Sequence, residues 1–123
     1  MSNDEIDMED QMADQIDRVD MEKVHLEDGA LGYNIYYEGY QVGSIEAIPG
    51  KLEHIAVEMH WEGKGIGRAA VRKFVTLSRE YGENAVITNN AINPAMRHIL
   101  ETEGFEQRSD EIGWKKDIEP TDT

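Results

Sequence analysis

The chain has 123 residues, enough for one small domain with a modest core and little room for a separate substrate domain. It has no cysteine, which excludes disulfides, thiol nucleophiles and cysteine metal sites. The net charge is −14, but residues 1–30 hold 11 acidic against two basic side chains while residues 31–123 hold 15 against 10. The acidity is therefore largely N-terminal, and it argues against direct nucleic-acid binding, which needs a basic stripe. An acidic chain with only six lysines fits a halophilic source. An acidic tail on an ordinary domain explains the charge almost as well. No basic, apolar leader and no apolar run of membrane-spanning length occurs, so a cytoplasmic location without membrane contact is expected.

Residues 1–7 read as disordered. Met8, Met12, Ile16 and Val19 then recur at helical spacing among acids, which predicts a short amphipathic helix over 8–20. Residues 1–20 thus form an acidic N-terminal segment, 21–118 the folded domain and 119–123 a tail. Met21 to Leu26 is a first strand, and Glu27-Asp28-Gly29 a turn. Leu31–Tyr37 and Tyr40–Ile48 form a hairpin around Glu38-Gly39. Strict alternation puts Val42, Ser44, Glu46 and Ile48 on one face of the second strand. After Pro49-Gly50, Leu52 to Met59 is the next strand. Leu52, His54, Ala56 and Glu58 share one of its faces, and Glu53, Ile55, Val57 and Met59 the other. A helix follows from Ile66 to about Tyr81, with Ile66, Ala70, Phe74, Leu77 and Tyr81 on one stripe, and Gly82 ends it. Ala85–Thr88 reads as an interior parallel strand. Asn93 caps a helix that begins with Pro94, turns Met96, Ile99 and Leu100 inward and stops at Gly104. Phe105–Gln107 and Gly113–Ile118 make a last hairpin.

Two stretches carry chemistry. Glu62-Gly63-Lys64-Gly65-Ile66-Gly67-Arg68 joins a strand to a helix. Glycines there allow tight turning and close approach of a ligand to free first-turn N–H groups at the positive end of the helix dipole, a setting for phosphate. The run is neither a Walker A loop nor a good dinucleotide fingerprint. The second stretch is Asn93-Pro94-Ala95-Met96, opening a helix that closes in Gly104-Phe105. In this order the two resemble the Gcn5-related N-acetyltransferase (GNAT) family. Its acetyl-CoA signature looks like Val57 through Gly67, and its second hallmark like Asn93 to Phe105. The resemblance covers about residues 30–118.

It implies an α/β (α+β) fold, with a mainly antiparallel mixed sheet flanked by helices and a gap where strands four and five splay. It also implies acetyl-CoA as acyl donor. The pantetheine arm would enter the gap along Val57, Glu58 and Met59. Gly63, Lys64, Gly65, Ile66, Gly67 and Arg68 would receive the pyrophosphate, with charge from Lys64 or Arg68, and Asn93 would touch the arm while capping its helix. Glu62 stands where the family usually has Gln or Arg, and a carboxylate there repels a pyrophosphate unless it points away. Leu100 stands where the family often has a tyrosine acting as general acid toward the CoA sulfur. Tyr33, Tyr36 or His98 are substitutes, or the thiolate leaves unassisted.

Direct attack by an amine on the thioester needs no protein nucleophile, only a held donor and a deprotonated acceptor. His54, Glu58 and Glu53 are the candidate bases, because they lie on or beside the strand lining the gap; an imidazole suits the task near neutral pH. The histidines match no compact metal motif, and no metal is expected. Trp61 stacks on a ligand or covers the loop. Tyr33, Tyr36, Tyr37 and Tyr40 are candidates for lining an acceptor groove. The expected acceptor is a primary amine of a small molecule or peptide, and the acidic surface favours a cationic one. The exposed sheet edge allows a homodimer through the last hairpin or the N-terminal helix. Two other readings compete: a catalytically weak or inactive CoA-binding module, and an acidic interaction protein using residues 1–30.

Overall fold

The computed structural model describes residues 8–89, 93–108 and 113–120; expectations for residues 1–7 and 121–123 lie outside them. In chain order the elements are α1 (Met8–Gln15), β1 (Val24–Gly29), β2 (Gly32–Tyr37), β3 (Tyr40–Ile48), β4 (Lys51–Val57), α2 (Ile66–Glu80), β5 (Ala85–Thr88), α3 (Pro94–Thr102), β6 (Glu106–Gln107) and β7 (Trp114–Asp117). The strands form one seven-stranded sheet in the order β1-β2-β3-β4-β5-β7-β6. It is antiparallel except where β4 meets β5. Helix α2 packs against β1, β4 and β5, and α3 packs beside α2 and against β6. This is the expected mixed sheet flanked by helices.

The β2–β3 hairpin turns through Glu38 (φ 52°) and Gly39 (φ 86°). Two positive φ values in a two-residue loop match the right-handed twist of the strands it joins. The first strand begins later than expected, at Val24, after a 3₁₀ turn over Met21–Lys23 whose Glu22 N–H is capped by Asp20. It also runs through Glu27-Asp28-Gly29, because Gly29 pairs with Gly32 and the turn falls on Ala30-Leu31. As an edge strand β1 can leave Glu27 and Asp28 in water.

Two register shifts break the alternation read from sequence. Ile35 faces Gly43 while Tyr36 faces Gln41, so Val42 is an extra residue in β3. Val42 is buried, whereas Glu46 and Ile48, expected on its face, are exposed. Glu46 faces His54 while Ala47 faces Leu52, so Glu53 is an extra residue in β4. Leu52 is buried and His54 exposed, and they do not share a face as expected. Such a bulge bends its strand and strengthens the local twist.

β4 pairs with β5 only through Lys51–Ile87 and Leu52–Thr88, immediately before the Glu53 bulge. β5 ends there, and β4 runs on past it paired with β3 alone. Helix α2 buries Ile66, Ala70 and Phe74 as expected, together with Ala69, Val71, Val75 and Ser78. Tyr81 lies past the last turn and is 67 % exposed, not part of the stripe. Tyr33 and Tyr37 are buried against Phe74 and Trp61 and belong to the core, and Tyr36 stacks on His25. None of the four tyrosines reaches the gap.

The junction that holds β4 to β5 is buried. The Gly50 N–H donates to Ser78 Oγ at 2.9 Å, and the Gly50 carbonyl accepts from the Ile87 N–H at 2.9 Å. Ser78→Ala leaves that buried N–H without a partner and is expected to cost about 1–3 kcal/mol. Urea unfolding would show the loss as a lower midpoint at unchanged slope.

Candidate active site

The separation of β4 from β5 opens a cleft of about 1130 Å³. Leu52, Ile55 and Val57 of β4, Ile66 of α2, and Met96 and Ile99 of α3 give it apolar walls. Thr88, buried at the end of β5, lies where the strands part. Trp61 forms part of the wall, and its indole Nε1 is buried without a hydrogen-bond partner among the described residues.

The glycine loop lines the same cleft through Gly63, Gly65 and Gly67. Gly63 (φ 78°) and Gly65 (φ 99°) take a backbone conformation that side chains disfavour. Gly65 is the N-cap of α2 and offers no side-chain cap, so the N–H groups of the first turn stay open. At α3 the reverse holds. Asn93 Oδ1 accepts from the N–H groups of Ala95 (2.8 Å) and Met96 (3.3 Å), so its side chain is committed to the cap while it lines the cleft.

The two cations expected to meet phosphate are engaged elsewhere. Lys64 Nζ donates to the Ile16 carbonyl at 2.8 Å, just after the end of α1. Arg68 donates through Nη1 to Thr102 Oγ1 and Glu103 Oε2, both at 2.7 Å, although it still borders the cleft. Glu62 is exposed and also borders it. The N-terminal helix ends at Gln15 rather than near 20, because the chain turns to bond the loop: the Val19 N–H donates to the Lys64 carbonyl at 2.9 Å.

Of the candidate bases, His54 is exposed and lines the cleft. Glu53 lines it too, half-buried, with Lys51 Nζ 3.4 Å from its carboxylate. Glu58 lies in a separate shallow depression with Gln41, Ser44 and Ala56, and only Val57 borders both. Met59, expected along the pantetheine path, is 74 % exposed and outside the cleft lining. His98 lines the cleft, whereas Leu100 is fully buried in the core. Tyr33 is in the core, where burial, with Tyr81 and Asp28 nearby, raises its phenol above the ordinary range.

Two cleft residues escape a reading by motif. Glu46 faces His54 across the β3–β4 pair, a juxtaposition the bulge creates. Arg18 reaches the cleft from the N-terminal segment, and its one sequence signal is that it is the sole basic residue among the first 22. Among the described residues no group of three or more His, Asp or Glu side chains gathers as a metal site, and no helix is long and apolar enough to cross a membrane.

A mixed sheet with a gap beyond the short β4–β5 pairing, and an uncapped helix N-terminus at that gap, is the architecture the resemblance implied. The chain belongs to the family described as the Acetyltransferase (GNAT) family, whose model matches residues 3–105. Among curated proteins none matches. Among solved structures it is similar to an IAA acetyltransferase from Bacillus cereus ATCC 14579, with TM-score 0.57 and 21 % identity over 70 % of this chain and 76 % of that one. It is also similar to the ribosomal-protein-S18-alanine N-acetyltransferase from Escherichia coli, with TM-score 0.55 and 16 % identity over 82 % of this chain and 73 % of that one. At these identities the likeness speaks for the fold alone.

The ends of α2 and α3 are clamped beside the cleft by Glu103. Its carboxylate takes Arg68 at 2.7 Å and Arg72 through Nε at 2.7 Å, and its side chain is 9 % exposed. Burial pushes the carboxyl upward, but hydrogen bonds and charge from Arg72 and Arg68 outweigh it and hold the group below the ordinary carboxylate range. A depressed folded-state pKa contributes stability above the unfolded-state value, and that stability is lost as pH falls through the folded-state value. Glu103→Gln is expected to cost about 1.5–3 kcal/mol at neutral pH. The gap between variant and wild type should close in acid, as followed by urea unfolding across pH.

Proposed function

We propose that the protein transfers an acetyl group from acetyl-CoA directly to a primary amine. The observation that carries this reading is the cleft itself, an apolar channel ending at a glycine loop whose N–H groups have no side-chain cap. Those features fit the ligand. The apolar walls suit a pantetheine arm, the open first turn of α2 suits a pyrophosphate, and the bent end of β4 offers backbone groups that β5 no longer bonds. Acetyl-CoA would supply an activated thioester.

The chain's own residues supply the rest. His54, exposed on the cleft beside Glu46, takes the proton from the acceptor amine, directly or through water. It is better placed than Glu58, which opens on another depression, and than Glu53, which sits beside Lys51. Glu46 and Glu53 give this end of the cleft a negative character, which favours a cationic acceptor, whether a small amine or a peptide amine. The apolar walls exclude water from the thioester. A thiol's ordinary pKa, near 8.5, makes the thiolate a tolerable leaving group without a positioned acid.

One observation favours a second reading, a CoA-binding protein with weak or no turnover. Leu100 is sealed in the core where the family often has its acidic tyrosine. Calorimetric titration with acetyl-CoA, followed by thiol release with a panel of amines, separates the two. Saturable binding with thiol release supports the transferase, and binding without release for any amine supports the second reading. Absence of binding overturns both.

In the transferase, His54→Ala is expected to lower kcat by about 100-fold or more and leave the acetyl-CoA Kd nearly unchanged. Cationic amines should outcompete neutral and anionic ones, an advantage that shrinks with salt. A preference for anionic acceptors would refute the charge argument.

A further inference from the structure

The glycine loop of this chain has three basic side chains around it, and they are not equivalent. Lys64 satisfies the carbonyl of Ile16. Arg68 is held by Thr102 and by the half-buried Glu103 carboxylate, which also binds Arg72, so releasing it would weaken the α2–α3 clamp. Arg18 has no hydrogen-bond or ion-pair partner among the described residues, yet it lines the cleft. Its Nη1 lies 3.6 Å from where a Cβ on Gly65 would stand.

Its backbone is fixed, although the side chain is exposed. The next residue, Val19, is buried, its N–H bonds the Lys64 carbonyl, and its Cγ2 lies 3.7 Å from the same Gly65 position. The Asp20 N–H donates to the Tyr37 hydroxyl at 3.2 Å, and Lys64 anchors Ile16 on the other side. The segment 16–20 is therefore a strap tied down on both sides of Arg18, and it presents a guanidinium over the N-cap of α2.

We propose that Arg18 is the side chain that binds the phosphates of the acyl-CoA donor, in place of Lys64 and Arg68; this rests on the reading of the cleft as an acetyl-CoA site. A guanidinium presents a planar fork that matches two phosphate oxygens, and here it stands beside the uncapped first turn of α2. Its charge also offsets Glu62, which borders the same cleft without being paired to it. The lone base of an acidic N-terminal segment is thus part of the donor site, and the segment does more than carry charge.

The test is calorimetric titration of acetyl-CoA into the full chain and into Arg18→Ala, Arg18→Lys and Lys73→Ala, at low and molar salt. Lys73 lies on α2 away from the cleft lining and controls for a general loss of positive charge. Thermal melting checks that each variant is folded; among the described residues Arg18 makes no bond whose loss would unfold it. Arg18→Ala is expected to weaken binding about tenfold or more at low salt, with Arg18→Lys between it and wild type. The wild-type Kd should rise more steeply with salt than that of Arg18→Ala, and Lys73→Ala should bind like wild type. Equal Kd values and salt slopes for wild type and Arg18→Ala overturn the assignment of Arg18 while leaving the acetyl-CoA site standing. An equal loss in Lys73→Ala would reduce the effect to net charge and overturn it too. Failure of the wild type to bind overturns the acetyl-CoA site and this assignment together.

Discussion

Strand β4 belongs to two incompatible neighbourhoods, and the bulge at Glu53 is where it passes from one to the other. Before it, Lys51 and Leu52 are held to β5 in parallel register. Past it, His54 to Val57 continue to pair with β3 while β5 no longer follows. An extra residue in one strand bends it and increases its twist, and β5 ends at Thr88, level with Leu52 just before that bend. A gap between two strands inside a sheet would ordinarily expose unpaired backbone and be selected against. Here it is propped open by α2 and α3, whose apolar side chains Ile66, Met96 and Ile99 line it. The cleft is therefore a property of the sheet, not of a loop that happens to stand away from it.

Rigidity on either side of the gap comes from different sources. On the β4–β5 side it is the buried exchange among Gly50, Ser78 and Ile87, which ties the strand junction to α2. On the helix side it is the Glu103 carboxylate, shared by two arginines of α2 and sitting at the end of α3. Lys116 Nζ adds a bond to the Glu103 carbonyl at 3.0 Å, which links that corner to β7. A carboxylate drawn partly out of water is costly to desolvate, and it is kept because three donors from two arginines satisfy it. The consequence reaches the glycine loop: Arg68 stands in the first turn of α2, yet its guanidinium is committed to the clamp.

Sequence reading reached the element order, a helix from Ile66 to about Tyr81, the strand over 85–88 and the Asn93 cap, because each is written in local signals such as glycine stops, capping side chains and apolar periodicity; the mixed sheet with its gap came only from the family resemblance. It failed where one residue shifts the period. Val42 and Glu53 are both ordinary strand residues, and nothing in their type announces that they are extra; only pairing with β2 or β3 does. Residues past each bulge keep their alternation among themselves but change face relative to Val42 or Leu52, and the Glu46–His54 pair stayed hidden. Lys64 and Arg68 looked suited to phosphate because they flank the glycines. What decides their use is a partner remote in sequence, Ile16 for one and Glu103 for the other. The four tyrosines show the same limit in reverse: two of them, Tyr33 and Tyr37, are buried where the meander packs on Phe74 and Trp61, although aromatic residues near a cleft invite a ligand role.

The same distinction bears on Leu100. On α3 the cleft is lined by Ala95, Met96, His98 and Ile99, and the helix turns Leu100 inward with no exposure. A polar hydroxyl introduced at that buried position would need its own partner in an apolar setting, at a cost of about 1–3 kcal/mol if none is found. The absence of a tyrosine there is thus consistent with how this α3 packs, and it bears on protonation of the leaving group rather than on donor binding. In the proposed reading His98, exposed on the same helix and lining the cleft, is an alternative proton donor, while His54 stands on the β4 wall. Two imidazoles on opposite walls of one channel would divide the proton traffic by position, one on the acceptor side and one on the side of α3, with no residue asked to do both.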